Sequence, residues 1–226
     1  MQNKPVSLPS ATPVTCGSPW DREIKEEQVL FEISIGVLLG DCSIQKNTSK
    51  SIEKCRLKFL QGAKHKEYIY HLHQQYKGYV ISDPFYDSKR NTYSFQTVFH
   101  SLFVELYNIF YNKSPHKTIG PYFLQNEIKP RSLAYWFMDD GGLLSYNKDY
   151  VRKGVVFNTQ GFSFREATLL SNSLNKSYHL ESWVKQNKRK PVIAIPGNKY
   201  PVIKDLVFPY IVDCMKYKLP KEKLKT

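Results

Sequence analysis

Long hydrophobic runs are missing from this chain of 226 residues. No apolar stretch reaches the roughly 18 residues that a membrane-spanning helix needs, so no membrane partner is expected. Cysteine is scarce. Cys16, Cys42, Cys55 and Cys214 are scattered, none forms a CxxC pair, and no Cys/His cluster has zinc-finger spacing. That argues against a disulfide framework and a structural zinc, and points to free thiols in a reducing compartment. His71 and His73 form an H-x-H with no third ligand in sight, which reads as a solvated pair on a helix rather than a metal site. The N-terminal segment lacks the apolar core of a signal peptide and has too little arginine for a good transit peptide. Acid is in short supply as well: 20 Asp+Glu stand against 33 Lys+Arg, a formal net charge of +13. With a pI of about 9.4, nucleic acid is the first partner to consider.

What is present begins with an arm. Residues 1–28 carry Pro5, Pro9, Pro13 and Pro19 among Ser and Thr, with little apolar periodicity. Residues 221–226 form a short charged tail. Between them the chain repeats itself. "EISIGVLLGDCSI" (32–44) is an apolar run ending in Asp41, and "SLAYWFMDDGGLL" (132–144) is another ending in Asp139 and Asp140. Each run is too apolar on all sides for a surface helix and reads as a buried one. Gly36 and Gly40 lie four apart, on one helix face, where a second backbone could approach closely; the plainer alternative is two breaks in a core strand. Ser132 is a plausible N-cap for the second helix.

Each run is followed by the same order of patterns. After Asp41 come strand pieces "CSIQ" and "KCRLKFL" and the helical "KEYIYHLHQQY". Strands around "GYVIS" and "NTYSFQTVF" follow, and then the helical "SLFVELYNIFYN". After Asp140 come "GLLSYN" and "KGVVFNTQ", a helix opened by the S-x-x-E capping box of Ser163 and Glu166, strands "LESWVKQ" and "KPVIAIP", and a last helix near "VIKDLVFPYIVDCM". The spacing of basic residues matches too: Lys117 follows Asp41 by 76 residues and Lys218 follows Asp140 by 78, although lysine is common enough here to make such a match easy to find. The order helix, two strands, helix, two strands, helix occurs twice, so the expected fold is α+β, two pseudo-symmetric αββαββα halves at 29–130 and 131–220.

"SLAYWFMDDGG" resembles the signature helix of the LAGLIDADG homing endonucleases, with Asp140 at the acidic position before the final glycine. "SIGVLLGDC" (34–42) resembles a diverged first copy, with Asp41 at the acidic position and Cys42 in place of the glycine. The likeness runs from about Val29 to Pro220 and is greatest to single-chain, two-motif members encoded in organelle introns. It implies two central packed motif helices with DNA-binding β-sheets, and a site-specific double-strand break in a long asymmetric DNA target, made by Mg²⁺-dependent phosphodiester hydrolysis. One chain supplies both acids and both lysines, so a monomer is expected, and the resemblance implies a mitochondrion or other organelle.

Paired acids at helix C-termini are unfavourable by roughly 0.3–1 kcal/mol each, and they also repel each other. The arrangement makes sense if two or three Mg²⁺ ions are shared between Asp41 and Asp140, with the backbone of Gly40 and Asp139 as further ligands. Lys117 and Lys218 match the family's active-site lysines. Asp139 is expected to play a structural part or to support the neighbouring acids from behind. Gln61 and Asn158, near strand ends, are candidates for water positioning, with an exposed polar role as the alternative.

A two-stranded β-ribbon fits the major groove, so DNA contacts should fall on the strands. Arg56 and Lys58 alternate in one strand, as do Lys188 and Lys190 near another. Lys89, Arg90, Arg152, Lys153, Lys185 and Arg189 enrich neighbouring segments, where a phosphate contact or a solvated face is the plainer reading of any one residue. Side chains of "RLKFL", "NTYSFQTVF", "GVVFN" and "PVIAIP" are the expected readers of base edges. Two other readings compete: a maturase that binds intron RNA, and a nucleic-acid-binding protein without catalysis.

Overall fold

The computed structural model describes residues 19–47, 53–111, 114–144 and 154–220, with side chains from residue 25 onward. The first half is α1 (Pro19–Leu39), β1 (Ser43–Lys46), β2 (Cys55–Gly62), α2 (Lys66–Gln75), β3 (Phe85–Asp87), β4 (Thr92–Gln96) and α3 (Val104–Phe110). A short α4 (Tyr122–Gln125) leads to the second half: α5 (Pro130–Asp140), β5 (Gly141–Leu144), β6 (Gly154–Phe157), α6 (Phe164–Tyr178), β7 (Trp183–Asn187), β8 (Lys190–Ile195) and α7 (Tyr200–Val207). Each half holds a four-stranded antiparallel sheet, in the orders β1-β2-β4-β3 and β5-β6-β8-β7. The two sheets have the same topology, as the sequence repeat requires. Among the described residues no helix is long and apolar enough to cross a membrane. Cys42, Cys55 and Cys214 carry free thiols.

The core is built around α1 and α5. Ile33–Leu39 of α1 and Ser132–Met138 of α5 are buried on every side, which is why both segments are apolar without periodicity. α2 covers one face of the first sheet and α6 one face of the second. The capping box forms: Ser163 Oγ accepts from the Glu166 amide at 3.3 Å and Glu166 Oε2 accepts from the Ser163 amide at 2.7 Å. The other oxygen of Glu166 accepts from the Ile119 amide at 2.9 Å and so ties the linker between the halves to α6.

Several expectations need correction. α1 begins at Pro19, so the last ten residues of the segment read as an arm are helical. Ser132 does not cap α5: the helix opens at Pro130, whose fixed φ and missing N–H suit a first turn, and Lys129 is the capping position. Ser132 lies inside the helix and donates to the Glu32 carbonyl at 2.7 Å, beside a 2.7 Å Arg131–Glu32 ion pair. "GYVIS" is not a strand. Lys77–Tyr79 form a 3-10 turn that closes α2, and the strand starts only after Pro84, which has no amide to give a ladder. The last helix is broken at Pro209; α7 ends at Val207, and 3-10 turns at 208–210 and 213–218 carry the chain to Lys218. His71 and His73 are not a solvated pair: His71 Nε2 meets the Tyr135 hydroxyl at 2.8 Å and His73 Nε2 the Ser82 carbonyl at 3.1 Å.

Candidate active site and nucleic-acid interface

Glycine sets how close the two central helices come. A Cβ on Gly36 would lie 2.4 Å from the Ser132 carbonyl oxygen and 2.7 Å from Tyr135 Cβ, and one on Gly40 would lie 2.4 Å from Asp139 Cβ. The result is backbone-level contact that brings the C-terminal ends of α1 and α5 to one place. The two ends close differently. α5 runs through Asp140, and Gly141 bonds back to the Phe137 carbonyl; a Cβ there would strike the Phe137 ring and carbonyl at 2.3–2.4 Å. α1 stops at Leu39, and the Cys42 amide reaches back five residues to the Val37 carbonyl at 2.9 Å. That wider closure accommodates a side chain at 42, where the second half must have glycine. Asp41 is left exposed in the turn, while Asp140 is half-buried.

Each acid is flanked by an amide and a lysine from its own half. Lys117 Nζ donates to the Gly40 carbonyl at 2.7 Å, and Lys218 Nζ donates to the Asp139 carbonyl at 2.6 Å and to that of Met138. The two lysines thus occupy matching places, each on the carbonyl just before its acid. The backbone oxygens read from the sequence as metal ligands are therefore engaged by ammonium groups. Gln61, at the end of β2, donates from Nε2 to Asp41 Oδ2 at 3.0 Å. Asn158, just past β6, uses both its backbone and side-chain amides on the Asp140 carbonyl, at 2.9 and 3.0 Å. All six residues, Asp41, Asp140, Lys117, Lys218, Gln61 and Asn158, converge.

The electrostatics follow from burial. Asp140 is pushed up to about 7 by desolvation and then by Asp41, with Lys117 and Lys218 opposing. Desolvation also lowers both lysines, against the pull of the neighbouring carboxylates. Asp139 is more than a spacer. Its carboxyl lies over Gly40, accepts from the Asp41 amide at 3.2 Å and from Gln61 Nε2 at 3.4 Å, and approaches the buried Tyr68 hydroxyl. Burial and the Asp41 charge hold it well above the usual carboxylate range. From the sequence, Asp139 and Asp140 were told apart only by their place in the motif.

The basic residues sort by place. In β2, Arg56, Lys58 and Leu60 share the outward face; Arg56 bonds Gln45 Oε1 at 2.9 and 3.1 Å and lies over the Phe99 ring. Lys89 and Arg90 sit at the β3–β4 hairpin tip, where Asp87 Oδ1 accepts both their amides. Lys188 is not in a strand alternating with Lys190. With Arg189 it forms a two-residue β7–β8 turn, both at positive φ (48° and 64°), and Lys190 opens β8. A Lys-Arg pair thus marks the matching hairpin tip of each half. Lys185 lies on β7; Arg152 and Lys153 lie outside the described residues.

The reading of base edges by "PVIAIP" fails, because Val192–Ile195 are at most 1 % exposed. Ile193 and Ile195 join the core that includes α6 residues, while Val192 is paired with Lys185, and Ala194 with Trp183 and Val156. The outward faces therefore differ. The first offers Gln45, Arg56, Lys58 and Gln96; the second offers Trp183, Lys185 and Val156.

Comparison with known proteins agrees with this architecture. Residues 31–203 match the model of the LAGLIDADG DNA endonuclease family. The chain is 40% identical over 196 residues to a probable intron-encoded endonuclease 1 of Wickerhamomyces canadensis, covering 83% of this chain and 82% of that protein. It is 30% identical to the cytochrome b mRNA maturase bI2 of Saccharomyces cerevisiae, covering 84% of this chain and 47% of the maturase. The solved structure of the homing endonuclease I-WcaI bound to its DNA recognition sequence superimposes with a TM-score of 0.77 at 36% identity, covering 93% of this chain and 96% of that one. A chain matched across both motif helices, and alike in structure over nearly its whole length, belongs to the LAGLIDADG DNA endonuclease family.

Proposed function

We propose that this protein makes a double-strand break in a long, non-palindromic DNA site by Mg²⁺-dependent phosphodiester hydrolysis. The observation that carries this reading is the pairing of Asp41 and Asp140 at the ends of two helices in contact, each with a lysine and an amide of its own half. The donors suit Mg²⁺. They are hard oxygens on two carboxylates, and among the described residues no cluster of three His, Cys, Asp or Glu forms a protein-only cage. Mg²⁺ is commonly held by one or two carboxylates plus substrate phosphates. When bound, it supplies Lewis acidity and a nucleophilic water.

The chain's own groups do the rest. Asp41 and Asp140 would hold the cations. Lys117 and Lys218, already aimed at the helix ends, face the charge that develops on the phosphate. Gln61 and Asn158 fix the polar surroundings of each acid. One chain supplies two acids, two lysines and two amides, so it acts as a monomer.

The unlike sheet faces imply unlike half-sites, the first read through hydrogen bonds and the second more through apolar contact with thymine methyls. Selection from a randomised duplex library in Mg²⁺, with sedimentation of the complex, is expected to return a non-palindromic site bound by one protomer. A palindrome bound by two, or no cleavage of any duplex, refutes the reading. Affinity is expected to fall steeply with salt, as the hairpin-tip lysines and arginines displace counterions from phosphate. Each phosphate contact adds about −0.9 to the slope of log K against log salt, so K89A/R90A should flatten the slope by up to about two. An unchanged slope removes that tip from the interface.

Likeness to a yeast maturase supports a second reading, in which the same chain also binds intron RNA. Filter binding with the RNA of its own intron tests it. Kinship with intron-encoded proteins supports a mitochondrial location.

A further inference from the structure

The Gln61 amide does not stand alone. Its Nε2 is committed to Asp41, which leaves Oε1 as an acceptor, and that oxygen meets His65 Nδ1 at 3.1 Å. His65 Nε2 in turn meets the Tyr217 hydroxyl at 2.9 Å. The polarity of this chain is set from one end. An amide oxygen turned toward the Asp41 carboxylate would be repelled, so Gln61 presents its NH₂ to Asp41. His65 must then carry its proton on Nδ1, and in the neutral ring Nε2 accepts from Tyr217. The strand itself delivers His65: β2 ends at Gly62 and turns at once into a 3-10 turn at Ala63–His65, which carries the ring back beneath Gln61. Tyr217 comes from the other half, next to Lys218 in the 3-10 turn at 213–218.

Among its described residues the second half has nothing equivalent. Asn158 is pinned directly to the Asp140 carbonyl, and the residue four further on is the buried Phe162 rather than a histidine. Among the described residues no imidazole reaches Asn158.

We propose that His65 and Tyr217 are positioning residues that hold Gln61 on Asp41, and that they make the two strand cleavages unequal in their demands. Cleavage of the strand served by Asp41 depends on a chain of contacts reaching into the opposite half; cleavage of the strand served by Asp140 does not. The inference rests on the endonuclease reading above. Neither residue carried a signal in the sequence. The spacing of His65 from Gln61 means something only once the strand is known to turn there, and Tyr217 is marked only by adjacency to Lys218.

The test uses a supercoiled plasmid carrying the site selected by the wild-type protein, with each strand followed separately. H65A is expected to slow one strand by about tenfold or more and the other by less than about twofold, so that nicked circles accumulate. The slowed strand should be the one slowed by Q61A and not the one slowed by N158A. H65N places an amide N–H near the position of Nδ1 and should recover most of the loss. Y217F, at a side chain 60 % exposed, should slow the same strand by a smaller factor. DNA affinity and Tm should stay near wild type throughout. Equal slowing of both strands, no slowing by H65A, or failure of H65N to recover activity overturns the relay while the endonuclease reading stands. A wild-type protein that cuts neither strand overturns both.

Discussion

Asp41→Asn or Asp140→Asn leaves a protein that binds its DNA and makes no double-strand break. The substitution keeps size and polarity but removes one of two charges that make the site a cation site. Double-strand cleavage is expected to fall by at least about a thousandfold, equivalent to about 4 kcal/mol of barrier. DNA affinity should change little, because the basic hairpin tips and the outward faces of the sheets lie elsewhere. A second readout needs no catalysis. A divalent ion at about ten times its dissociation constant stabilises the wild type by about 1.4 kcal/mol, or roughly 3–6 °C in Tm for a chain of this size. Ca²⁺ is a suitable probe. Neither variant should show that rise. Cleavage by either one at the wild-type rate, or an undiminished Ca²⁺ shift in both, removes these acids from the proposed centre.

Gly36→Val is expected to have the largest effect on stability. Its Cβ would be placed 2.4 Å from a backbone oxygen of α5, which cannot rotate away as a side chain can. Overpacking a core costs about 1–3 kcal/mol, and more where backbone must move. A loss of at least about 3 kcal/mol is expected, roughly 6–12 °C in Tm, together with loss of cleavage as the two helix ends part. Gly78→Ala is the control: nothing lies within 4 Å of the added carbon, and Tm should hold. A Gly36→Val protein that melts with the wild type would mean that the helices are not in backbone contact.

The architecture was legible in the sequence because its strongest signals are local. Two runs with no polar face can only be buried helices, and the Ser163–Glu166 box marks a helix start by itself. The grouping of Asp41, Asp140, Lys117 and Lys218 came from the family resemblance, since the lysine spacing alone is an easy match. What escaped depended on partners distant in the chain. Ser132 has the chemistry of a cap but spends its hydroxyl on the Glu32 carbonyl of α1. "PVIAIP" alternates nothing, yet its outward residues are small and shielded by Trp183 and Val156, which no reading of that strand alone could show. Asp139 reads as the lesser of two acids until Gly40, Gln61 and the Asp41 amide are seen to converge on it.

The close contact at Gly36 and Gly40 also works as a ruler. Asp41 and Asp140 sit at the ends of two rods whose separation is set by Gly36 against the Ser132 main chain and by Gly40 against the Asp139 side chain. A duplex presents its two strands at a set offset, so on the proposed endonuclease reading the stagger between the two cuts would be built into the packing of the rods. Changes on the sheets can redirect the protein to another address. The shape of the broken ends stays the same for as long as the two glycines do.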